Sequence, residues 1–154
     1  MIRTWVLVYL GNLIGSVLIA WLVAYGQVFA GYEAHLIATA NAKLLVPAVA
    51  ICRGVLCNIL VCLGVVMASK TDGAGNKISA MFFPVAAFVI AGYEHSVANM
   101  YYFAVGQLVG AGLPMQKILY CNLIPVTIGN IIGGAIFLGG SLWYMQKPHK
   151  KQST

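Results

Sequence analysis

Charge is scarce in this chain. Only 8% of its 154 residues are charged, with three acidic side chains against nine Lys and Arg. A soluble domain carries about 25% charged residues. A water-facing surface cannot be covered by so few, so most of the outer surface must face lipid. The mean hydropathy of +0.89 agrees. The net charge of +6 brings no basic stripe with it. Lys and Arg sit mostly between or beyond apolar runs, where topology signals sit, so no nucleic-acid partner is expected.

Metal-binding and cleavage signals are also lacking. The cysteines are Cys52, Cys57, Cys62 and Cys121, without a CxxC pair or a metal-ligand spacing. The first three are five residues apart, and each step turns a helix by about 140°, so they share no face. They read as small apolar side chains, and no cofactor or metal is expected. The apolar run over 5–25 is too long for a signal peptide and is followed by a poor cleavage site. It reads as a retained helix.

What is present is a series of apolar runs long enough to cross a bilayer, which needs about 20 residues. The spans are expected at about 4–25, 46–68, 78–110 and 122–145. Residues 26–45 and 111–121 are expected to be loops, and 69–77 (SKTDGAGNK) a polar turn. The third region is interrupted by GYEHSVAN at 92–99, and 146–154 form a basic tail. An inside N-terminus places Arg3, Lys70, Lys77, Lys147, Lys150 and Lys151 inside, against Lys43 and Lys117 outside. The bias predicts both termini in the cytoplasm, with the third region crossing once. The chain is thus expected to be a single all-α transmembrane domain of a multi-pass protein in the cell's inner membrane.

GNLIG at 11–15 recurs as GNIIG at 129–133. Three crossings separate the two, which is the pattern of an inverted-topology repeat. Chance similarity of helices rich in small residues competes with that reading. A complete repeat would need about two more spans ahead of the first.

The interrupted helix places Glu94 and His95 at mid-membrane depth, where a charge costs about 2.5–3.5 kcal/mol on insertion scales. Irregular backbone at that depth is tolerated inside protein or beside a water-lined cavity. Ionisable residues and a helix break together point to a transport site. Glu94 can accept N–H groups that the break leaves open, or pair with a neighbouring subunit. His95, with an unperturbed pKa of about 6.5, can change charge in the working range and donate to an anion. A half-helix starting near Ser96 offers its positive N-terminus, and Asn99 an amide donor. A buried Glu–His pair that only fixes packing is the competing reading. Arg53 on the second span either snorkels to the interface or raises the potential of an outer pore mouth. Lys43 is either a solvated loop charge or an attractor of anions. An enzyme is disfavoured, because no nucleophile or metal cluster accompanies Glu94 and His95.

The segments AGYEHSVANM at 91–100, NLIPVTIGNIIGG at 122–134, GVLCNILVCLGVVMAS at 54–69 and YLGNLIGS at 9–16 closely resemble the formate/nitrite transporter family, in matching order and spacing. The resemblance implies an aquaporin-like helical bundle with an inverted repeat, assembled as a homopentamer with a pore in each subunit. This chain resembles spans three to six of that pattern, so the first two spans are expected to be lacking. Carried over, His95 is the pore histidine, Glu94 its acidic neighbour, Asn99 the amide that steadies the loop, and Asn58 a pore-side asparagine. Phe88 and Val61 fall at apolar constrictions, and Lys43 at the vestibule. The function implied is passage of a small monovalent anion. NLIPVTIGNIIGG is closer to formate channels, while AKLLVPAVAICRGVLCN, with Arg53, is closer to nitrite members; hydrosulfide-conducting members share features of both. Formate is favoured. The alternative is an inactive or structural membrane subunit.

Overall fold

The computed structural model describes residues 2–146, and the basic tail expected over 146–154 lies outside it from residue 147 onward. Among the described residues the chain folds into helices α1 (Ile2–Tyr25), α2 (Glu33–Ala42), α3 (Pro47–Ser69), α4 (Ala74–Ile90), α5 (Ser96–Leu108) and α6 (Met115–Met145). α1, α3 and α6 are long and apolar enough to cross a membrane. Of the described residues of α1, Ala20 alone is fully buried. Trp5, Leu7, Ile14, Leu18 and Trp21 are exposed along that helix, as a lipid-facing surface requires.

Local chemistry sets the boundaries. Pro47 opens α3 at its first turn, where its missing N–H is not needed. Gly73 precedes α4 with φ +81, and Gly92 ends it with φ +66, a region that favours glycine. The third apolar region is therefore two helices joined by residues 91–95. α4 packs on α3, whereas α5 packs on α1 and α2. The two halves do not fold back on each other as a hairpin. The break is narrower than the expected 92–99, because Ser96 to Asn99 already form the first turn of α5.

Two expected loops differ from the structure. Residues 26–45 contain α2. Four alanines favour helix there, Glu33 lies in the first turn, and Thr39 and Asn41 bond back to the carbonyls of His35 and Ile37. Two of the polar side chains in this stretch are thus turned onto the helix's own backbone. The last helix begins at Met115 rather than near 122. Pro114 supplies an extended residue just before it. Within α6, residues Leu119–Leu123 and Ile132–Gly139 are π-helical.

α6 lies on α3 at backbone distance. A Cβ on Gly54 would meet the Val126 carbonyl at 2.8 Å and the Gly129 Cα at 3.2 Å, and one on Gly129 would strike the Ile51 carbonyl. Small residues allow this approach, and it carries α6's asparagines to the break. A core of Ala40, Met100, Phe103, Leu113, Ile118 and Leu123 holds α2, α5 and the start of α6 together.

Candidate functional site

The break between α4 and α5 is enclosed by the chain's own polar side chains. Glu94 is 2% exposed. Its Oε1 accepts from Lys43 Nζ at 3.1 Å. Its Oε2 accepts from Asn99 Nδ2 at 2.7 Å and Asn122 Nδ2 at 3.2 Å. These partners are side chains of the chain itself rather than the open N–H groups of the break. A carboxylate so buried is tolerated because one oxygen meets an ammonium and the other two amides. Lys43 follows the last residue of α2, so this helix carries the cation inward. Its ammonium lies 5.4 Å from the centre of the Tyr102 ring on α5, close enough for a cation–π attraction. The side chain is 18% exposed, and is an ion-pair partner rather than a solvated loop charge.

The main chain of the break is tied to the two neighbouring helices. Glu94 N–H donates to the Arg53 carbonyl at 3.4 Å. Asn130 Nδ2 donates to the carbonyls of Gly54 and Glu94, both at 2.9 Å, and Asn130 Oδ1 accepts from Ser96 N–H at 2.9 Å. Asn58 Nδ2 in turn donates to the Asn130 carbonyl at 2.5 Å. Peptide groups freed by the break are thereby satisfied from α6 and α3, as burial in an apolar medium demands.

His95 is the N-cap of α5 and is half-buried. Its Nδ1 accepts from Ala98 N–H at 3.4 Å. That bond assigns the proton of the neutral ring to Nε2, which is then the ring's donor. The Phe88 ring stacks on the imidazole, with centroids 6.0 Å apart and planes at 23°. Two N–H groups of α5's first turn, at Ser96 and Ala98, are occupied by Asn130 and His95. The positive end of the helix thus acts on a ligand mainly through the imidazole that caps it.

Of the residues singled out by sequence, Glu94, His95, Asn99, Lys43 and Phe88 come together at the break. Asn58 joins through Asn130 and lines, with Trp5, Cys62 and Gly134, a crevice of about 330 Å³. Val61 is half-buried three residues further along α3. Arg53 contributes its carbonyl, while its side chain is exposed. Asn99 is fully buried and bonds to Glu94 and Asn122, so its amide is a brace for the loop rather than a donor to a ligand. Asn122, Asn130 and Tyr102 were missed. Two asparagines inside the apolar run NLIPVTIGN carry a desolvation penalty that could have flagged them; nothing in sequence marks Tyr102.

The apolar helices, with a buried, charge-compensated break in one of them, define a multi-pass helical membrane protein with a polar site in its interior. The formate/nitrite transporter family model matches residues 1–144, and the chain belongs to that family. It is 40% identical over 162 residues to the probable formate transporter of Methanothermobacter thermautotrophicus, covering 94% of this chain and 59% of that protein. It is 38% identical over 154 residues to the nitrite transporter NirC of Escherichia coli K12, covering 92% of this chain and 53% of that one. A solved pentameric formate channel with formate bound superposes with a TM-score of 0.82 at 33% identity, over 94% of this chain and 66% of the other. The chain thus spans a little over half the length of these curated relatives. These relatives are channels and transporters rather than enzymes.

Proposed function

We propose that the chain forms part of a pathway for small monovalent anions, formate foremost, across the cell's inner membrane, in a homopentamer with both termini in the cytoplasm. The observation that carries this reading is the pairing of an exchangeable donor with a compensated charge. Glu94 is matched by Lys43 and two amides, so it presents no net repulsion to an anion. His95, beside it, keeps Nε2–H for a ligand. An anion that leaves water loses hydration, and a donor fixed at a helix N-terminus replaces part of it. When the ring takes up a proton from the aqueous side it does so at Nδ1, releasing the Ala98 N–H, and the imidazolium strengthens the hold on the anion at Nε2. Transfer of the Nε2 proton to formate leaves a neutral ring protonated at Nδ1 and yields a neutral acid, which crosses the apolar constrictions assigned to Phe88 and Val61 cheaply. Arg53, whose side chain is exposed, adds positive potential on the outer side, while the Lys43 charge is balanced by Glu94.

The test is formate flux into proteoliposomes. His95→Ala should lower it by about 10² or more, the range of a positioned general acid, with the oligomer intact by size exclusion. Undiminished flux through a correctly assembled His95→Ala protein would refute the role. Nitrite and hydrosulfide, run in parallel, rank the substrates. A second reading is an inactive or structural membrane subunit. No flux from the unaltered chain would select it.

A further inference from the structure

The Asn122 side chain joins three separate parts of the site. It is fully buried. Its Nδ2 donates to the Lys43 carbonyl at 2.7 Å and to Glu94 Oε2 at 3.2 Å, and its Oδ1 accepts from Asn99 Nδ2 at 2.8 Å. These partners belong to the α2–α3 connection, the break and α5. We infer that Asn122 is a positioning residue for the anion path: it holds the Lys43 segment in register with the break and so fixes the direction in which His95 points. The inference rests on the transport reading above.

Backbone geometry supports the role. Asn122 and Asn130 are eight residues apart, which on an unbroken α-helix separates them by about 80° around the axis and about 12 Å along it. Both nonetheless bond to Glu94, Asn122 at the carboxylate and Asn130 at the carbonyl. Asn122 lies in the π-helical stretch Leu119–Leu123. A π turn holds an extra residue and shifts the phase of the helix, a device common at functional sites.

Only an amide fits the position. It donates toward Lys43 and Glu94 and accepts from Asn99 at the same time. Asn99 cannot compensate for its loss. Asn99 Oδ1 is already buried without a partner, and turning its amide over would aim that oxygen at Glu94 Oε2. A carboxylate at 122 would face Glu94 with like charge unless it held a proton. Protonated, it regains one donor and one acceptor. The charged groups facing the position are Lys43 and Glu94. Cys57 on α3, a buried thiol, lies near both, and His95 follows Glu94 in the chain.

The experiment compares the unaltered chain with Asn122→Leu and Asn122→Asp in proteoliposomes, measuring formate flux against concentration between pH 5 and 7.5. Asn122→Leu should lower maximal flux about tenfold, roughly the worth of one lost hydrogen bond, while the half-saturating concentration changes little. Asn122→Asp should be equally slow at pH 7.5 and recover toward pH 5, relative to the unaltered chain at the same pH. Asn122→Leu should show no such recovery. Normal flux through Asn122→Leu, or the same pH response in both variants, overturns the inference. If Asn122→Leu does not assemble, Asn122→Asp decides alone: recovery supports the role and its absence overturns it. Absence of flux from the unaltered chain removes the transport reading and this role together, before any variant is considered, which separates that failure from the others.

Discussion

Lys43 and Glu94 form a pair whose energetics are asymmetric. Removing one partner of a buried ion pair typically costs about 3–5 kcal/mol, because the other charge stays behind without compensation, whereas replacing both is often nearly neutral. Lys43→Met should therefore lower the thermal stability of the purified protein sharply. Lys43→Met combined with Glu94→Gln should recover most of the loss, since Gln can still accept from Asn99 and Asn122. A double variant no more stable than Lys43→Met alone would show that the pair is not the source of the stability. The sequence marks each member separately, the carboxylate by its depth and the lysine by its place before a span. It does not pair them, because their separation of 51 residues is bridged only once α2 is a helix. Asn99 illustrates the same limit: its residue type is consistent with a donor to a ligand, and only packing shows its donors spent on Glu94 and Asn122.

At the scale of elements, the two similar motifs lie in different surroundings. Gly129 and Gly133 in GNIIG meet the backbone of α3, while a Cβ added at Gly11 or Gly15 in GNLIG would have nothing within 4 Å. Gly129→Ala must push α6 away from Ile51 and Gly54, where backbone cannot yield, and should cost about 1–3 kcal/mol as overpacking does. Because Asn130 adjoins Gly129, the same change should also loosen the hydrogen bonds to Gly54 and Glu94. Gly11→Ala should leave this chain's stability unchanged or raise it by up to about 1 kcal/mol through helix propensity. Melting curves of the two variants check the contrast, and equal losses would contradict it. The spans were legible from apolar run length, and the break from Gly92, Glu94 and His95. α2 was not, because its polar residues mimic a loop until Thr39 and Asn41 are seen to bond to their own helix. The early start of α6 was not legible either, because Met115, Gln116 and Lys117 look like a loop until Pro114 is seen to open a helix.

At the scale of the whole molecule, the proposed orientation depends on one feature, that α4 and α5 together make a single crossing. α4 has 17 residues and α5 has 13, about 25 Å and 20 Å of helix. Neither matches α1 or α3 in length, but end to end they exceed the bilayer's apolar thickness of about 30 Å. If they cross once, the turn at 70–73 and the connection at 109–114 lie on opposite sides of the membrane; if each re-entered as a hairpin, the two would share a side. The lysine bias then puts Lys70 and Lys77 inside and Lys43 and Lys117 outside. With the four native cysteines replaced, a single cysteine at Thr71 should react with a membrane-impermeant maleimide only after cells are opened, and one at Gly112 should react in intact cells. Gly112 has φ +61, so Ala111→Cys, at the same end without that backbone constraint, is the safer companion. Labelling of both sites from one side would mean two passes, and would place Glu94 and His95 at a membrane surface, where a caged ion pair would have no reason to exist.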